Sequence, residues 1–144
     1  MKNPWSSRNL FVKNYIPENI SIVDFGCGNK EILDFCNPSE YLGIDITDAA
    51  DLKIDLNSKF DLNKIFDIGL LLGVLEYVED PNFTLTNVKK FAKKFIILSL
   101  PVKQKVSWKR AFTDESLNTL LTSHFTNVSH HRHGRYILST GESL

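Results

Sequence analysis

The chain has 144 residues, of which 42% are hydrophobic, and its 17 Lys or Arg balance 17 Asp or Glu. That length suits one domain burying roughly 70% of its unfolded surface, and zero net charge argues against a dedicated nucleic-acid binder. No apolar run approaches the ~18 residues that span a bilayer, Met1 to Ser6 forms no signal-peptide core, and two cysteines, Cys27 and Cys36, make no disulfide framework, so both thiols are read as reduced and the compartment as cytoplasmic.

In chain order, residues 6–15 fit a short helix with Leu10, Phe11 and Tyr15 on its apolar face and Pro17 just beyond its end. Residues 20–25 read as a buried strand, 30–36 as a short helix and 41–46 as a second strand. Residues 50–56, with Leu52, Ile54 and Leu56 alternating, read as a third. Residues 66–74 are almost wholly apolar, the pattern of a central parallel strand. Asp80-Pro81 opens a helix that is expected to reach Lys94. A fifth strand over 94–100 stops at Pro101. Thr113-Asp114-Glu115-Ser116 caps a last helix running to about His124. Residues 128–131 and 136–140 then form an antiparallel pair turned near Gly134. Alternation of strand and helix implies a parallel sheet covered on both faces. The expected fold class is α/β: a Rossmann-like three-layer αβα sandwich with a mostly parallel seven-stranded sheet and a C-terminal antiparallel hairpin. Residues 1–144 read as one domain, with 1–19 an N-terminal arm and 20–144 the core.

The segment from Ser21 to Asp45 carries most information. Strand Ile22-Val23-Asp24-Phe25 feeds Gly26-Cys27-Gly28, and the next strand ends on Asp45, 17 residues past Gly28. Glycines let backbone approach a ligand where a Cβ would collide. A strand-end carboxylate can accept both hydroxyls of a ribose. This is the layout of a nucleotide-type cofactor site at the carboxyl edge of a parallel sheet. A dehydrogenase fingerprint would need glycine at 31, where Glu31 stands.

These motifs resemble those of the class I S-adenosylmethionine-dependent methyltransferases, of the small type 11 kind, over roughly residues 20–140. The family's acid-x-Gly-x-Gly-x-Gly is matched by Asp24-Phe-Gly26-Cys-Gly28-Asn-Lys30. Its second and third acids are matched by Asp45 and Asp55. Its stretch around the fourth strand is matched by Phe66-Asp67 through Val74-Leu75-Glu76-Tyr77-Val78-Glu79-Asp80-Pro81. The resemblance implies S-adenosylmethionine as cofactor, S-adenosylhomocysteine as product, and an in-line SN2 transfer of the methyl group to an O or N atom. It implies that Gly26, Cys27 and Gly28 pass under the methionine part while Asp24 holds its ammonium. Asp45 would chelate the ribose, Ile46 would flank the adenine, and Asp55 with the Leu56 amide would read its edge. A carbonyl of Leu72 or Gly73 would face the methyl end. The helix opening at Lys30 would offer its N–H groups to the carboxylate.

Two positions depart from the family pattern. The third glycine is Lys30, which must point outward or reach the cofactor carboxylate, and the frequent histidine is Tyr77. Candidate bases or orienters are Tyr77 and the histidines His130, His131 and His133, with Tyr77 and His131 placed as catalytic; no metal is expected. Trp5, Tyr77, Trp108 and Arg110 are candidates to line an acceptor pocket. Glu76 reads as a cap on the turn into the next helix. Eight Lys or Arg and no acid lie between Lys89 and Arg110, either a solvated face or a basic rim for an anionic partner. The acceptor is unidentified, with a glycan or another bulky molecule favoured because the chain carries no cap over the site. Two alternatives stay open: a non-catalytic methyltransferase-like partner subunit, and a nucleic-acid-directed methyltransferase.

Overall fold

A computed structural model describes residues 6–100 and 108–144. Its strands run β1 (Ser21–Phe25), β2 (Glu40–Asp45), β3 (Leu52–Lys53), β4 (Phe66–Leu72), β5 (Ala92–Ser99), β6 (Phe125–His133) and β7 (Tyr136–Ser143). They form a seven-stranded sheet in the order β3-β2-β1-β4-β5-β7-β6. The first five are parallel, while β7 runs antiparallel to both β5 and β6. The α-helices are α1 (Ser6–Lys13), α2 (Pro81–Val88) and α3 (Asp114–Thr122).

Alternation along the central strands divides the core. Val23 and Phe25 of β1, Leu71 of β4 and Phe95 and Ile97 of β5 pack with Leu85 and Val88 of α2 and Leu117, Leu120 and Leu121 of α3. On the other face Ile22, Ile68, Leu70, Leu72, Ile96 and Leu98 pack under Val12 and Ile16 and under Ile32 of a short 3-10 turn. Asp24 shares the face of Ile22, so its carboxylate points to the α1 side.

Several boundaries differ from expectation for local reasons. The strand expected over 50–56 keeps only two ladder pairs, Ile44↔Leu52 and Asp45↔Lys53. Asp55 then turns the chain, accepting from Asn57 N at 2.9 Å through its side chain and from Ser58 N at 3.0 Å through its carbonyl. The helix expected to reach Lys94 stops at Val88 and tightens into a 3-10 turn over Lys89–Phe91, because Ala92 already pairs with Phe66. Its N-cap is Asp80, whose carboxylate accepts from Asn82 N and Phe83 N. Thr113 and Ser116 close a reciprocal capping box on α3. The helix expected over 30–36 is a four-residue 3-10 turn, Glu31–Asp34.

Candidate cofactor site

β1 lies where the sheet order reverses, between β2 and β4, and chains leaving such a point open a crevice at the carboxyl edge. Two cavities meet there. One, about 260 Å³, is lined by residues including Arg8, Asp24, Cys27, Gly28, Leu98 and Trp108. The other, about 390 Å³, is lined by residues including Asp45, Ile46, Ile54, Asp55, Leu56 and Val78. Gly26, Leu72, Gly73 and Tyr77 border both, so the glycine loop and the end of β4 form the sill between them.

The loop is held by β2. Gly26 N and Cys27 N both donate to Ile44 O, at 2.7 and 3.1 Å. Gly26 has φ +81°, and a Cβ there would lie 2.5 Å from Val74 Cγ2, so only glycine fits. Gly28 donates through its N–H to Asp45 Oδ2 at 2.8 Å, and Ile46 N donates to Asp45 Oδ1 at 2.7 Å. Both oxygens of Asp45 are thus oriented by main-chain donors and keep lone pairs toward the larger cavity. Ile46 beside it is 70% exposed, a large apolar side chain left at the mouth of that cavity.

Asp24 is 3% exposed and accepts from the Tyr41 hydroxyl at 2.6 Å. Burial pushes its carboxyl up to about 6, against the Tyr41 hydrogen bond and the Arg8 charge, which pull it down. Burial and the Asp24 charge raise the Tyr41 phenol in turn. Burial also pushes the Cys27 thiol to about 12, helped by the charges of Asp24 and Asp45, so it is an uncharged wall rather than a nucleophile.

Arg8 was not singled out by the sequence, yet it lines the smaller cavity beside Asp24 and Gly73. Its signal was helical spacing: Phe11, Val12 and Tyr15, three, four and seven residues on, mark the inward face of α1, and Arg8 shares it. Tyr41 was missed for a different reason: register places it beside Ile22, next to Asp24, and register is a tertiary fact.

Lys30 is the N-cap of only a four-residue 3-10 turn, and its ammonium turns to Asp51 rather than lining either cavity. It adopts φ 62°, ψ 35°, a left-handed conformation that glycine takes without strain. Its Nζ donates to Asp51 Oδ1 at 2.5 Å, while Asp51 Oδ2 accepts from Gly43 N at 2.7 Å. The side chain thus straps the loop to the end of β2. Left-handed backbone costs a non-glycine residue ~1–2 kcal/mol. Lys30→Gly and Lys30→Ala both lose the Asp51 pair, but only alanine keeps the strain. In urea unfolding Lys30→Gly is therefore expected to be about 1 kcal/mol more stable than Lys30→Ala; equal stability would remove the strain argument.

The other expected site residues divide: Tyr77 and Trp108 line the cavities, whereas the histidines and Arg110 do not. His131 packs on Tyr15 with ring centroids 5.1 Å apart, His133 stacks on Phe11 at 4.5 Å, and His130 bonds Ser139 Oγ and Asn118 Oδ1 at 2.7 and 2.8 Å. All three are on β6, the far edge strand, and none lines either cavity. Strand alternation separates His130 from His131 but does not say which strand lies between them and the site. Tyr77 borders both cavities at 39% exposure and meets Trp108 edge-on at 5.9 Å. Arg110 lines neither cavity; its guanidinium donates to Leu75 O, Val78 O and Glu79 O. Trp5 lies outside the described residues, as do Lys103 and Lys105 of the basic run. Lys93 and Lys94 pair with Asp67 and Glu142 at the opposite end of β5 from the cavities. Among the described residues no three His, Cys, Asp or Glu gather to hold a metal ion, and no helix is long and apolar enough to cross a membrane.

The sequence matches no family model and no curated protein. Solved structures match well in shape. A Burkholderia thailandensis 1,6-didemethyltoxoflavin-N1-methyltransferase, crystallised with 1,6-didemethyltoxoflavin and S-adenosylhomocysteine, aligns with TM-score 0.75 at 16% identity, over 96% of this chain and 77% of that one. The N-methyltransferase NodS of Bradyrhizobium japonicum, with S-adenosylhomocysteine, aligns at 0.71 and 16% identity, over 99% and 89%. A TehB-like S-adenosylmethionine-dependent methyltransferase of Corynebacterium glutamicum aligns at 0.73 and 15% identity, over 99% and 90%. The chain has the class I S-adenosylmethionine-dependent methyltransferase fold, a Rossmann-like α/β sheet closed by an antiparallel pair.

Proposed function

We propose that the chain is an S-adenosylmethionine-dependent methyltransferase, one domain over residues 1–144 with 1–19 as its arm, acting in the cytoplasm on an O or N atom of its acceptor. The observation that carries this reading is the pair of buried or pinned carboxylates, Asp24 and Asp45, on the two sides of one glycine sill. When bound, the cofactor supplies an electrophilic sulfonium methyl. Asp45 accepts the two ribose hydroxyls. Ile46, Leu56 and Val78 enclose the adenine, and Asp55 accepts from its amino group while the Leu56 amide donates to its ring. Gly26, Cys27 and Gly28 give the methionine part room, Asp24 takes the ammonium, and Arg8 takes the carboxylate that the short 3-10 turn is too weak to hold. Leu72 and Gly73 border the methyl end. Tyr77 flanks the line of attack, and most of the rate comes from positioning the acceptor, a contribution of ~7–11 kcal/mol in well-oriented reactions.

The test is thermal unfolding with calorimetry, using S-adenosylmethionine and S-adenosylhomocysteine. At 100 times its dissociation constant a ligand stabilises by ~2.7 kcal/mol, a shift of several degrees for this size. The Asp24 carboxyl must be ionised to hold an ammonium, so affinity is expected to be highest near pH 7, below the point at ~8 where an α-amino group gives up its own proton. Below about 6, where Asp24 takes up its proton in the free protein, it should fall toward ten-fold per pH unit. No shift with either ligand would overturn the proposal.

A further inference from the structure

Glu76 has no solvent exposure, yet it is an acid among Leu75, Val74 and Val78. Its Oε2 accepts from Leu100 N at 3.2 Å, and its main-chain carbonyl accepts from Lys109 N at 2.7 Å. Its Oε1 has no hydrogen-bond partner among the described residues. Arg110 answers from the other side, donating to Leu75 O at 2.8 Å, Val78 O at 2.5 Å and Glu79 O at 2.9 Å. The turn that carries Tyr77 is therefore tied twice to Leu100 and to Lys109–Arg110. Leu100 and Trp108 line the smaller cavity, and Trp108 faces Tyr77 edge-on. Asp80 already caps α2, so capping leaves Glu76 unexplained.

We propose that Glu76 is a positioning residue: by holding Leu100 through its side chain and Lys109 through its carbonyl, it sets Leu100 and Trp108 as the wall facing Tyr77 where the acceptor is received. As a statement about methyl transfer this rests on the function proposed above. The wall itself is a property of the free protein. A glutamine of the same length keeps an oxygen for Leu100 N, whereas alanine leaves that N–H without its acceptor.

Protonation gives a readout that simple packing would not move. Burial pushes the Glu76 carboxyl up to about 7, against hydrogen bonds from its own N–H and Leu100 N and the attraction of Arg110. Arg110 is the charged group acting on it; Lys109 pairs with Glu79 at 3.3 Å, and Asp24 titrates separately across the cavity. Above its pKa, a buried anion with one unpartnered oxygen draws water into its seat and loosens the wall.

The experiment is acrylamide quenching and emission of Trp108 in a Trp5→Phe background, between pH 5.5 and 8.5. The chain has two tryptophans, so this leaves one reporter. Quenching is expected to rise with pH, with a midpoint near 7. That transition should be lost in Glu76→Gln, kept in Asp24→Asn, and replaced by strong quenching at every pH in Glu76→Ala. A flat wild-type profile, or a transition surviving in Glu76→Gln, overturns the proposal. Where Glu76→Ala fails to fold, the glutamine arm alone decides. Calorimetry with S-adenosylhomocysteine on the same proteins separates the two readings. A normal pH transition without binding removes the cofactor reading and leaves the wall. Binding with a flat profile removes the role of Glu76 alone.

Discussion

Asp45→Ala is expected to remove nearly all of the stabilisation that S-adenosylhomocysteine gives the wild-type chain. The carboxylate is oriented by Gly28 N at 2.8 Å and Ile46 N at 2.7 Å, so its remaining lone pairs are fixed before a ligand arrives. Each hydrogen bond from a ribose hydroxyl to a charged oxygen is worth ~1.5–3 kcal/mol, and two of them correspond to a hundred-fold or more in affinity. A ligand held at 100 times the wild-type dissociation constant would then sit near that of the variant, and its stabilising effect would fall from ~2.7 to about 0.4 kcal/mol. The unliganded variant should still fold, since Asp45 is at the edge of the cavity rather than in the core. Asp45→Asn, which keeps one acceptor oxygen, should fall between. A full thermal shift in Asp45→Ala would mean that the larger cavity does not receive the ribose.

Gly26→Ala is the substitution expected to cost most stability. It combines two penalties at one atom. At φ +81° any Cβ is strained by ~1–2 kcal/mol. The added methyl also meets Val74 Cγ2 at 2.5 Å, and Val74 is packed in the core under α2, so overpacking adds ~1–3 kcal/mol. The sum, about 3 kcal/mol, should lower the unfolding midpoint by about 10 °C for a domain of this size. Calorimetric unfolding checks it, and a loss below about 1 kcal/mol would show that Val74 moves aside freely. Ligand affinity should fall as well, because the same methyl stands on the sill shared by both cavities.

What the sequence made legible were the features with local causes. The two glycines, the acid ending β2 and the proline after Asp80 each answer to backbone geometry within a few residues. The mostly parallel sheet closed by an antiparallel pair followed from alternation together with the resemblance. What it obscured was set by distant partners. The third strand was read as seven residues from its alternation, but alternation marks faces and does not count ladder pairs, and only Leu52 and Lys53 have them. The histidines looked usable because their type suits proton transfer, while their distance from Asp24 depends on β7 entering between β5 and β6. Glu76 looked like a cap because it precedes a helix; its real bond, to Leu100, spans 24 residues. Arg8 reaches the site only because α1 folds back over β1 and β4.

The position of β7 has a kinetic consequence. It comes last among the strands in the chain, yet it lies inside the sheet, paired to β5 on one side and β6 on the other. β6 therefore has no sheet to join until Tyr136–Ser143 has docked. Parallel β1 finds β2 nearby in the chain, but its other neighbour, β4, comes more than 40 residues later, as the Ser21–Asp67 bonds across 46 residues illustrate. Contacts of such long sequence separation are closed at an entropic cost before they return any stability. The chain's topology thus favours slow folding, because the crevice above β1 and β4 rests on a pairing of long sequence separation.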